Sequence, residues 1–123
     1  SKQLYPYKSF IDYGIIASAN SDYGGGPWHG NPITGIYSMV TRKTEGGDIV
    51  GQGQAVSVME AIRAYTYNGA YAAFDENKLG SIEAGKLADL IILNDDILSV
   101  QNEKIMGLEV IRTIMDGITV YKK

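Results

Sequence analysis

Residues 6–22 read PYKSFIDYGIIASANSD, and this stretch carries the fold class. Pro6 suits the first turn of a helix, because its missing N–H would be unpaired there anyway. Tyr7, Phe10 and Ile11 then recur at helical spacing on one face. Gly14 is a stop, since glycine takes the left-handed conformation cheaply after a helix. Ile15–Ala19 is a short apolar run bounded by glycine and by Asn20-Ser21-Asp22, which predicts a buried strand of the kind found in parallel sheets. Helix, glycine and buried strand form the rhythm of an α/β protein. Asp22 stands at the C-terminal end of that strand. In barrel enzymes catalytic side chains project from this rim, although an aspartate here also caps a following loop well.

Outward from this unit, residues 23–30 form a loop with Gly24, Gly25, Gly26 and Pro27. It holds the one histidine of the chain, His29, which can join a metal site but cannot build one in the usual histidine-rich style. It is also without the Gly-x-Ser-x-Gly elbow that would present a serine nucleophile to it. Asn31-Pro32 opens a second helix as N-cap and first-turn residue, with Ile33, Ile36, Tyr37 and Val40 as its apolar stripe and an end near Arg42. Residues 43–56 are glycine-rich and read as a loop. Ser57-Val58-Met59-Glu60 spells a capping box, and the helix behind it carries Val58, Ile62 and Tyr65 on one face. Asn68-Gly69 is expected to interrupt it, with a further short helix over Gly69–Phe74. Tyr65, Tyr67, Tyr71 and Phe74 keep helical spacing, which favours core or interface packing over a ligand box.

The pattern turns to β after about residue 79. Ser81-Ile82 is extended, Ala84-Gly85 is a turn, and Asp89–Leu93 is a strand closed by Asn94-Asp95-Asp96. Asp116-Gly117 between Val110–Met115 and Ile118–Tyr121 is a strong hairpin signal. Gly80 to Lys86 nearly spells a phosphate-binding loop. Leu87 stands where a magnesium-binding hydroxyl is required, and a strand follows where a helix should, so that chemistry is excluded.

Composition sets the outer limits. With 45% hydrophobic and 20% charged residues the chain is globular, and its 123 residues suffice for one domain. A net charge of −3 with scattered Lys and Arg argues against nucleic acid, and no apolar run reaches the roughly 20 residues of a membrane helix. The absence of cysteine removes disulfides and Cys-zinc sites and suits a cytoplasmic setting.

Taken in order, these segments resemble a known family. Gly80-Ser81-Ile82-Glu83-Ala84-Gly85-Lys86-Leu87-Ala88-Asp89-Leu90-Ile91-Ile92-Leu93 is similar to the closing signature of the amidohydrolase superfamily. Arg63 to Ala72 resembles the helix before it, and Leu4 through Ser21-Asp22 resembles the last βα region of the barrel. With Gly35-Ile36-Tyr37 and Val40-Thr41-Arg42 the order resembles the branch called amidohydrolase family 3. The resemblance implies an α/β fold in which residues 1–78 end a (β/α)8 TIM-type barrel and residues 79–123 form part of a small β-sandwich. It implies hydrolysis of a C–N bond in a small amide or cyclic amide by a water bound to a divalent metal, zinc or similar. Asp22 matches the carboxylate at the end of the eighth strand, which touches the metal and shuttles a proton. Tyr23, Trp28 and His29, in the loop after Asp22, are weaker candidates for lining the substrate site.

The family's His-x-His pair, mid-barrel ligand and later histidines have no counterpart in these residues, and a barrel takes about 250 residues. The expectation is therefore a C-terminal fragment that is inactive alone, holds no metal of its own and associates with itself. A free-standing structural or binding module derived from an amidohydrolase tail is the alternative.

Overall fold

The computed structural model describes residues 4–22 and 30–123. It is mixed α/β. Helix α1 spans Tyr7–Asp12, α2 Pro32–Thr41, α3 Val58–Tyr65 and α4 Tyr67–Ala72, followed by strands β1 (Leu90–Leu93), β2 (Val110–Met115) and β3 (Ile118–Lys122). Two 3-10 helices, Gln52–Gln54 and Asn102–Gly107, lie between.

The starts and stops follow local chemistry. The Asn31 side chain accepts the Ile33 N–H at 3.0 Å and Pro32 follows it, fixing the entry to α2. Arg42 closes α2 in the left-handed conformation, φ 58°. The capping box of α3 is complete: the Ser57 N–H donates to Glu60 Oε2 at 2.7 Å, and the Glu60 N–H donates to Ser57 Oγ at 3.2 Å. The break after α3 falls at Thr66, φ −119° and ψ −91°, and Asn68-Gly69 lies inside α4 rather than interrupting a helix. Asn68 is nearly buried and hydrogen-bonded, so tertiary contacts override its helix-breaking tendency.

The core joins both halves of the sequence. Ile33, Ile36 and Val40 of α2 pack with Val56, Ala61, Ile105 and Leu108, and Ile105 is fully enclosed. Tyr7, Ile11, Val58, Ile62 and Tyr65 pack around this cluster, as their helical spacing predicts. Phe74, expected to pack, is 91% exposed, because α4 ends at Ala72 and Phe74 turns out with φ 61°.

Strands β1, β2 and β3 form one antiparallel sheet in that order. The tip of the β2–β3 hairpin is Asp116-Gly117, with φ 47° and 77°, the left-handed pair that a two-residue turn requires. No residue of the three strands is buried.

The strand expected at Ile15–Ala19 does not form. The segment is neither helix nor strand, has no sheet partner among the described residues, and leaves Ile15 and Ile16 53% and 46% exposed. A buried strand needs neighbours on both edges and cover on both faces, and here the backbone bonds to helices instead.

Candidate functional site

Asp22 is exposed and ends this segment. Its backbone is left-handed, φ 46°, a conformation that aspartate and asparagine tolerate better than most residues. The Asp22 N–H donates to Asn20 Oδ1 at 2.9 Å, which fixes the turn locally. Upstream, the segment is tied to α1, α3 and α4. The Ala19 N–H donates to the Ala64 carbonyl at 3.0 Å. Asn68 Nδ2 donates to the Ala17 carbonyl at 2.9 Å, and the Tyr7 hydroxyl donates to that same oxygen. The Tyr65 hydroxyl reaches the Asn20 carbonyl at 3.4 Å.

A cavity of about 360 Å³ adjoins this turn, lined in part by Asn20, Ser21, Asn31, Arg42 and Tyr65. Arg42 crosses its margin, donating from Nη2 to the Leu4 carbonyl at 2.6 Å and from Nε to the Val50 carbonyl at 3.1 Å. Partial burial holds its guanidinium below the usual value. Burial likewise raises the Tyr65 phenol, keeping it a neutral donor.

Of the residues expected to form the site, Asp22 is the one in view, while Tyr23, Trp28 and His29 lie outside the described residues. Among those described, no group of three or more His, Cys, Asp or Glu side chains could hold a metal ion. Asp22 is one donor, so the described residues by themselves do not fit a catalytic metal. Tyr65 and Asn68, whose side chains bear on the Asp22 segment, read from sequence as packing and as a helix break. The available signal was an asparagine at helical spacing among apolar residues.

The Gly80–Leu87 segment leads into β1, so the phosphate-loop reading fails as the sequence indicated. Lys86 donates to Ser81 Oγ and stands 5.7 Å from the Tyr67 ring centre. A Cβ on Gly80 would lie 2.8 Å from the Tyr67 Cα, so the glycine permits close packing on α4.

A family model described as "Amidohydrolase family" matches residues 1–121, and the chain belongs to that family, in its third branch. It is 35% identical over 121 residues to the N-substituted formamide deformylase of Arthrobacter pascens, covering 98% of this chain and 22% of that protein. It is 30% identical over 125 residues to YtcJ of Bacillus subtilis (strain 168), a protein named as an amidohydrolase, covering 99% and 23%. An imidazolonepropionase of Clostridium tetani (strain Massachusetts / E88) is 30% identical over 117 residues, covering 94% and 25%. The chain thus spans about a quarter or less of the length of these curated relatives.

Proposed function

We propose that this chain is the C-terminal part of a longer metal-dependent hydrolase that cleaves a C–N bond in a small amide or cyclic amide, with Asp22 as its proton-transfer carboxylate. Family membership and a relative named for deformylating N-substituted formamides support the reaction class. The observation that carries the role of Asp22 is its presentation: an exposed carboxylate in a left-handed turn, at the end of a segment anchored on three helices.

In this reading the Asp22 carboxylate accepts a proton from the attacking water as its oxygen bonds to the carbonyl carbon. It returns that proton to the amide nitrogen as the C–N bond breaks. A divalent metal such as zinc is the proposed cofactor of the longer protein, with its remaining donors outside this chain, so the chain alone is inactive. Residues 1–78 are proposed to close a (β/α)8 barrel and residues 79–123 to contribute to a β-sandwich. The Ile15–Asp22 segment, without a sheet partner among the described residues, and the exposed sheet both support this, since each can take neighbours from elsewhere.

The test is Asp22→Asn in the full-length enzyme. Asparagine keeps the size, the cap and the left-handed backbone but accepts no proton. Turnover should fall by about 10²–10⁴, while stability changes by roughly 1 kcal/mol or less. Full activity in this variant removes the assignment.

A further inference from the structure

Within the described residues the Ile15–Asp22 segment is held by hydrogen bonds to α1, α3 and α4. We propose that Tyr65 and Asn68 are the positioning residues for Asp22, and that Gly35 exists to admit the tyrosine. This rests on the reading of Asp22 as the proton-transfer group.

Asn68 is 9% exposed, and its Oδ1 has no partner among the described residues. Burying an unpaired oxygen costs free energy that an apolar side chain of similar size would avoid. What the asparagine supplies is its N–H donors, aimed at the Ala17 carbonyl at 2.9 Å and at the Tyr7 hydroxyl oxygen at 3.2 Å. The Tyr7 hydroxyl donates in turn to the Ala17 carbonyl, so three groups from α1, α4 and the segment close one network.

Tyr65 acts at the other end. Its hydroxyl lies against Gly35 of α2, where any Cβ would collide with the phenol. That notch admits the phenol oxygen, which donates to the Asn20 carbonyl at 3.4 Å. The same oxygen fills the notch and reaches Asn20, and Tyr65→Phe removes it while keeping the ring. Asn20 is the last anchored residue. Its own side chain accepts the Asp22 N–H, and the carboxylate follows immediately. Displacement at Ala17 or Asn20 therefore passes directly to Asp22.

The experiment compares Tyr65→Phe and Asn68→Leu with Asp22→Asn in the full-length enzyme, reading kcat, KM, melting temperature and hydrogen exchange at the Ala19 amide. Groups that orient a reacting or ligating side chain typically change activity by about 10–100-fold when removed. The expected result is a fall of that size in kcat for both variants, with KM and melting temperature unchanged and faster exchange at Ala19. Wild-type kcat in both variants beside an inactive Asp22→Asn overturns this proposal and leaves the role of Asp22 standing. An active Asp22→Asn overturns both. A kcat loss that tracks a lowered melting temperature in both variants assigns the pair to general stability and also overturns it. If Asn68→Leu does not fold, Tyr65→Phe decides, because it removes one oxygen and keeps the ring.

Discussion

Gly35 faces the Tyr65 hydroxyl so closely that α2 and α3 are matched at this one point. Gly35→Ala forces the ring or the helix to move, and overpacking of this kind costs about 1–3 kcal/mol. Denaturant unfolding of the variant should show a lower midpoint with an unchanged slope. An unchanged midpoint would mean that the two helices are less tightly matched. Nothing in the neighbourhood of Gly35 announces this constraint, because the ring that imposes it comes from a distant turn of the chain. Tyr65 was legible only as half of what it is: helical spacing marks it as a packing residue, and its hydroxyl partner becomes visible only in three dimensions. Asp22 stands out through its resemblance to a family position, since a single aspartate before a glycine-rich loop also reads as a cap.

The elements that the sequence announces well are those whose signals are local. The α3 cap is one, with donor and acceptor three residues apart. Ser57→Ala removes the acceptor for the Glu60 N–H, and loss of such a cap costs about 0.5–2 kcal/mol. Thermal unfolding should register this as a lower melting temperature, whereas Met59→Ala, at a position 56% exposed on the same helix, should change little. Equal effects from the two would argue against the capping box. The β2–β3 hairpin was legible for the same reason, since Asp-Gly supplies both positive-φ residues of its turn. The strand expected at Ile15–Ala19 was not, because a strand is a relation between segments and its partners are not among the described residues. The 3-10 helix Asn102–Gly107 also went unread. It carries one buried side chain, too little periodicity to mark an element.

At the scale of the molecule, the sheet is the exposed part. Ile91, Met115 and Ile118 are 50%, 57% and 68% exposed, and the outer edges of β1 and β3 have no partner among the described residues. Apolar surface beside open strand edges favours association. The isolated chain should therefore form dimers or larger species, and sedimentation equilibrium at several concentrations checks this. A monomer at every concentration, with a sharp cooperative melt, would favour the free-standing module. Among the described residues, no helix is long and apolar enough to cross a membrane. The helical core has a different consequence, one of timing. Among the described residues its one fully enclosed large side chain, Ile105, comes from beyond β1, while the side chains that surround it on α2 come from the first third of the chain. As the chain leaves the ribosome, α1 to α4 emerge before the residue that seals them together. Until Ile105 and Leu108 arrive, Ile33, Ile36 and Val40 have only part of their cover, from Val56, Ala61 and the side chains around them. That interval is when the nascent chain most needs a chaperone's cover.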